Sequence, residues 1–285
     1  MAIFPSEISP AHVAEFWKQL PPPTRPSQAA MEVYKQHLRR AKARGEELVL
    51  VLGATPELRL LALREGFDVV FVDRDRLMIE AMALLMDCSG VDKARERCLV
   101  CDWLKIPDYQ PPFGVVLGDG SLNHLTREQM SKLLSRMRGL LTTSGSLCLR
   151  VMTYPQSRRR ASLVNIFSRY RTRAAVEQNE MLRDLWMRLL FAKEVYRKST
   201  RTASLLRLLN ELKRAHHSKH ISDEEFGTFA QLAGAFAWGS PTVPFRGEFG
   251  RMLVAGFRIE RIHELERREH LDVSRIYELS QLRHK

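Results

Sequence analysis

Between residues 46 and 155 short β-branched apolar runs alternate with segments of helical periodicity, and this rhythm limits the possible folds more than any other feature of the chain. The predicted strands are 48–52, 69–72, 98–101, 115–118 and 146–152, with helical patterns in "PELRLLALREG", "DRLMIEAMALLMDCSG" and "TREQMSKLLSRMRGLL". Such alternation predicts a mostly parallel sheet with helices on both faces.

The flanking segments read differently. Residues 1–45 are expected to form N-terminal helices separated by "LPPPTRPS", with Ser27 as an N-cap and Gly45 as a stop. In 156–235 no strand is expected, but Leu182, Leu185, Trp186 and Leu189, then Leu205, Leu208, Leu209 and Leu212, recur at helical spacing. The predicted division is therefore N-terminal helices (1–45), a core (46–155), a basic helical insertion (156–245) and a C-terminal part (246–285). In that last part, "RIERIHELE" and "SRIYELSQL", separated by a charged turn, would close the sheet as an antiparallel pair.

With 45% hydrophobic and 27% charged residues among 285, the composition is that of a globular protein. The N-terminus lacks a basic start and an apolar core, and no apolar run approaches the roughly 20 residues a bilayer span needs. A cytoplasmic location without membrane association is the expectation. The four cysteines form no disulfide framework, and Cys98 and Cys101, three apart on a predicted strand, point to opposite faces. Buried, unpaired thiols are expected. The net charge of +12 is concentrated: residues 156–220 hold 16 lysines and arginines against 5 acidic residues. "HHSKH" places His216 and His220 four apart but lacks the glutamate of a zinc hydrolase, and a surface helix end is expected there, with no metal.

The turn "VLGATPEL" sits where an α/β sheet binds a nucleotide, yet it holds one glycine where a dinucleotide fingerprint has three. Gly53 allows close approach of a ligand, Thr55 suits the N-cap and Pro56 the first helical position. Glu57 then falls in the first turn and meets the helix dipole itself. A pyrophosphate would be badly served, whereas a phosphate-free adenosyl ligand with positive charge would not. Asp73 ends the second strand 20 residues after Gly53, a distance suited to ribose hydroxyls. Asp102 and Trp103 follow the third strand, and "GDGSLNHL" follows the fourth.

On these residues the chain resembles the class I S-adenosylmethionine-dependent methyltransferase family over about 25–155 and again over 246–285. The resemblance implies a Rossmann-like seven-stranded, mostly parallel sheet with an antiparallel C-terminal strand pair and a helical cap. It also implies S-adenosyl-L-methionine as cofactor, with S-adenosyl-L-homocysteine as product. Gly53, Ala54 and Thr55 would support the methionine part, Asp73 with Arg74 the ribose, and Asp102 and Trp103 the adenine. Asp119 with Gly120 would lie beside the transferable methyl. The sequence departs from the pattern in its missing glycines and in Val51, where the family commonly has an acid. "RPSQAAMEVY" resembles the lid helix of small-molecule members, which makes Tyr34 a lid contact, backed by Arg25 and Phe16.

The expected function is methyl transfer to a small-molecule acceptor. His124 is the candidate base and Tyr154 a second candidate catalytic residue, with Ser121 and Asn123 on the same rim as substrate contacts. "SRRRASLVNIFSRYRTR" also suits a nucleic-acid groove, so an RNA-directed enzyme is the alternative. The absence of Asn/Asp-Pro-Pro-aromatic after the fourth strand disfavours base amines as acceptors. A non-catalytic scaffold on the same fold is a third reading. The leucine-rich faces of the insertion suit either a cap or a homodimer contact.

Overall fold

The computed structural model describes residues 9–20, 24–109, 111–154, 161–171, 185, 188–235, 240–265 and 274–282. Two helices, α1 (Pro10–Gln19) and α2 (Gln28–Ala43), precede β1 (Leu48–Leu52). Ser27 caps α2, its hydroxyl accepting the Ala30 N–H, and Gly45 follows the helix with φ +83. The expected alternation then appears: α3 (Pro56–Arg64), β2 (Asp68–Asp73), α4 (Arg76–Ala83), β3 (Glu96–Val100), β4 (Phe113–Asp119), α5 (Arg127–Leu140) and β5 (Leu141–Met152). After the insertion come β8 (Phe257–Glu264) and β9 (Ser274–Gln281).

These strands form one seven-stranded sheet in the order β3-β2-β1-β4-β5-β9-β8, parallel except for β9, which runs antiparallel to both neighbours. Chain direction around the sheet reverses between β1 and β4, so a crevice opens at their carboxyl ends. The two-residue period of the central strands divides the core. Leu50, Leu52, Val70, Val72 and Val116 face α5, while Val49, Val51, Val69, Phe71 and Val115 pack with α2, α3 and α4 residues. Each such fully buried aliphatic side chain contributes about 1.5–3 kcal/mol.

The insertion has a hydrophobic core of its own. Between α6 (Leu163–Arg171), α7 (Leu205–His217) and α8 (Asp223–Ala235), residues Phe167, Leu189, Leu208, Leu212 and Phe229 are buried together. The chain returns to the sheet through α9 (Arg246–Val254). Leu185 and Leu189 are buried as the periodicity predicts. Leu182, Trp186, the arginine run 158–160 and the charged turn between β8 and β9 lie outside the described residues.

Three expectations are corrected. A short hairpin, β6 (Tyr196–Arg197) with β7 (Thr202–Ala203), interrupts the helical insertion, its reversal using Arg201 at φ +59. The α4 helix stops at Ala83, well before Gly90. Past it, the Asp87 carboxylate accepts the Ser89 N–H, a local bond that competes with helix. Of the four unpaired cysteines only Cys148 is buried; Cys98 is exposed because β3 is the uncovered edge of the sheet.

A buried polar cluster fastens α2 to the far side of the sheet. Glu278 on β9 is bound by His37, Arg40 and His263. His37 Nδ1–H donates to Glu278 at 2.8 Å, which leaves Nε2 to accept from the Ser146 hydroxyl at 2.9 Å. Burial lowers the His37 pKa. Burial alone would raise that of Glu278, but hydrogen bonds from His37 and His263 hold it well below the usual carboxylate range. Both groups thus have folded values below their unfolded ones, so the stability they confer is complete above those unfolded values. It should be lost as pH falls, from about 6.5 for His37 and from about 4.3 for Glu278. Glu278→Ala strands three donors and should cost about 3–5 kcal/mol in urea unfolding at neutral pH. A loss below about 1 kcal/mol, within the range of an exposed pair, would show the cluster to be energetically idle.

Candidate functional site

The crevice begins at Gly53. Its φ of +100 is left-handed, and its N–H donates to the Val72 carbonyl at 2.9 Å. A Cβ placed there would stand 3.7 Å from the Trp103 indole, 3.9 Å from Asp73 Oδ2 and 3.9 Å from the Thr55 hydroxyl. Four residues singled out in the sequence therefore converge on one point. The Ala54 N–H donates to Asp73 Oδ2 at 3.2 Å. Thr55 occupies the N-cap of α3, but its hydroxyl makes no capping bond, because it lies on the Gly53 side of the turn; Pro56 opens the helix.

Glu57 follows in the first turn. One carboxylate oxygen accepts the Trp17 indole N–H at 3.3 Å, and the other is buried without a hydrogen-bond partner. Burial raises its pKa, with Asp119 adding to the rise and Arg25 opposing it. An acidic group thus waits at the helix N-terminus, where a phosphate would otherwise bind.

Asp73 ties the second loop to the first. Its Oδ1 accepts the Asp75 N–H at 3.0 Å, and burial raises its pKa. It does not cap α4, since Asp75 does so through Met78 N–H. Trp103 donates its indole N–H to the same Val72 carbonyl that Gly53 uses, at 2.7 Å. Asp102 accepts the Leu104 N–H at 2.9 Å and stands 3.8 Å from the exposed Arg74. His124 meets the Trp103 ring edge-on, with centroids 6.4 Å apart. Its pKa is lowered by desolvation, with Asp73 pulling the other way. The residue as a whole is nevertheless exposed at the surface. His124 consequently groups with Asp73 and Trp103.

At the end of β4 the expected contacts are largely replaced by internal ones. Asp119 forms a two-pronged ion pair with Arg150, at 2.5 and 2.6 Å, and both side chains are buried. Tyr34, expected as a lid contact, is fully buried, its hydroxyl 3.0 Å from Asp119 Oδ1 and 3.0 Å from the Gly118 carbonyl. It underpins Asp119 because α2 packs on the sheet. Gly120 turns the chain at φ +71, its N–H donating to the Arg150 carbonyl at 2.9 Å.

The residues expected at the rim also make internal contacts. Ser121 is buried and donates to the Leu52 carbonyl at 2.6 Å, pinning this turn to β1. The Asn123 amide donates to the carbonyls of Met152 and Thr242, at 3.0 and 2.7 Å, and its oxygen accepts the Met152 N–H. It staples the returning insertion to β5. Tyr154 is wholly buried in the insertion's core, stacked on Tyr196 with centroids 4.8 Å apart. Phe16 lies half-buried on α1, and Arg25 reaches the Lys18 carbonyl at 3.5 Å, bracing the link between α1 and α2. Arg25 and Glu57 also line a groove of about 400 Å³ with Trp17, Leu60 and Leu84.

Sequence reasoning missed Trp17, Arg59 and Arg150. A signal existed for the last two: each is a cation among apolar neighbours, in "ELRLLAL" and "CLRVM", where burial demands a partner. Gly53→Ala tests the loop. The space permits a methyl group, so the cost is conformational and should reach about 1–3 kcal/mol in thermal unfolding. An unchanged midpoint would mean that the turn relaxes freely.

Solved structures share this architecture. The CcbJ methyltransferase from Streptomyces caelestis matches with a TM-score of 0.58 at 10% identity, covering 94% of this chain and 96% of that one. A 1,6-didemethyltoxoflavin-N1-methyltransferase from Burkholderia thailandensis, with its substrate and S-adenosylhomocysteine bound, matches with a TM-score of 0.53 at 14% identity, covering 95% and 83%. A Rhodobacter sphaeroides structure, provisionally described as a Zn-dependent alcohol dehydrogenase, matches with a TM-score of 0.56 at 16% identity, covering 94% and 95%. At such identities the likeness is one of fold: a Rossmann-like seven-stranded sheet with an antiparallel C-terminal strand pair. No family model matches the chain, and no curated protein matches it in sequence.

Proposed function

We propose that the protein is an S-adenosylmethionine-dependent methyltransferase acting on a small molecule. The observation that carries this reading is the Glu57 carboxylate in the first turn of α3, four residues after Gly53, with one oxygen buried and without a hydrogen-bond partner. Together with Asp73, it makes the first loop repel a pyrophosphate and attract a cation. Adenosyl chemistry fits around it. Each Asp73 oxygen already accepts one backbone N–H and has a lone pair left for a ribose hydroxyl. Trp103 and His124 offer ring surfaces beside it, and Asp102 an acceptor after β3.

The cofactor would bring a methyl group on a sulfonium, already activated for in-line transfer. What remains for the chain is to align the acceptor and exclude water. His124 sits with Asp73 and Trp103, on the adenosine side, so we assign it to the wall of that crevice. The reading uses no general base. Asp119, neutralised by Arg150, shapes the end of β4 and leaves Glu57 to set the local potential. Among the described residues there is no group of three or more His, Cys, Asp or Glu that could hold a metal.

A small acceptor is favoured by the toxoflavin enzyme among the similar folds and by the insertion, whose separate core is stapled to β5 by Asn123. Its basic charge supports RNA as a second reading.

Calorimetry with S-adenosylhomocysteine tests the cofactor. Binding is expected, and Asp73→Ala should weaken it by about 10- to 150-fold, the value of hydrogen bonds to a charged group of about 1.5–3 kcal/mol. Binding of NAD in its place would overturn the assignment. RNA retention that falls steeply with salt would move the acceptor to RNA.

A further inference from the structure

We propose that Arg59 is a positioning residue for the cofactor: from behind the first loop it sets the orientation of the peptide between Ala54 and Thr55. This rests on the cofactor reading above. Arg59 lies on the inward face of α3 and is 1% exposed. Its Nε and Nη2 donate to the two oxygens of Glu96 at 2.7 and 2.9 Å, and its guanidinium stacks 3.7 Å over the Phe71 ring. The remaining nitrogen, Nη1, donates to the Ala54 carbonyl at 3.2 Å.

Such a buried pair is a poor choice for stability alone, because apolar side chains of similar volume often serve as well or better. The third hydrogen bond is what they cannot supply. Ala54 is held at both ends, its N–H by Asp73 Oδ2 and its carbonyl by Arg59. In a planar trans peptide the carbonyl and the following N–H point in opposite directions. Drawing the Ala54 carbonyl inward therefore turns the Thr55 N–H outward, away from Arg59, and that N–H has no partner among the described residues. It is the donor left over for a ligand oxygen. A loop rich in glycine reaches such a shape through conformational freedom. This loop has Ala54 and Thr55 instead, and the fork of Arg59, anchored by Glu96, supplies the constraint.

The test separates positioning from packing. In the double variant Arg59→Met/Glu96→Met the buried charges leave together, and the urea midpoint should stay close to that of the unaltered protein. Affinity for S-adenosylhomocysteine, measured by calorimetry, should nevertheless fall at least tenfold. Arg59→Lys provides a second reading should the double variant fail to fold: an ammonium can pair with Glu96 but cannot fork to Ala54 as well. It should also bind at least tenfold more weakly, whereas Glu96→Gln, which keeps an acceptor for Arg59, should lose much less. A folded double variant that binds like the unaltered protein overturns the proposal, as does full affinity in Arg59→Lys. Absence of binding by the unaltered protein would instead overturn the cofactor reading itself.

Discussion

The Val72 carbonyl accepts two hydrogen bonds, from the Gly53 N–H and from the Trp103 indole, and the crevice depends on this shared acceptor. Through one oxygen it fixes the end of β2, the turn after β1 and the exit from β3. Carbonyls at the carboxyl end of a parallel strand run out of ladder partners, so a donor there is needed on energetic grounds. Asp73, the next residue, extends the tie by binding the Ala54 N–H. The spacing of Gly53, Asp73 and Trp103 therefore follows from backbone needs alone.

Several buried charges among the described residues are handled in one way. Arg59 with Glu96, Arg150 with Asp119, and Glu278 with His37 and Arg40 are buried and mutually satisfied. Each joins elements distant in sequence, and each has several hydrogen bonds to offset desolvation. Glu57 differs, with one oxygen buried and unmatched. An uncompensated acceptor is costly, and this one lies in the first turn of the helix that follows the left-handed Gly53.

Much of the fold was legible because its signals are local. "LVLVL" is a strand buried on both faces, and Ser27 and Gly45 bracket α2 through backbone chemistry acting over three or four residues. Asp73 was legible as the residue that closes β2 beside the first loop, from its place at a strand end. The roles of Tyr34, Ser121, Asn123 and Tyr154 were not. Each is a polar residue near the right strand ends, and a sequence cannot say whether its hydrogen bonds go to a ligand or to a carbonyl made available by another segment. Asn123 meets Thr242 across more than a hundred residues, and Tyr154 stacks on Tyr196 in a core built by the insertion.

The sequence by itself determined the alternation of strands and helices in the sheet domain, the turn at Gly53 and the concentration of positive charge in the insertion, because periodicity, left-handed backbone and formal charge are properties of neighbouring residues. Only the tertiary structure decided which polar groups remain available. Hydrogen-bond capacity is exhausted by whatever partner comes within about 3 Å, and those partners come from segments far away in the chain. Hence Asp119 is committed to Arg150, while Glu57 keeps an oxygen free.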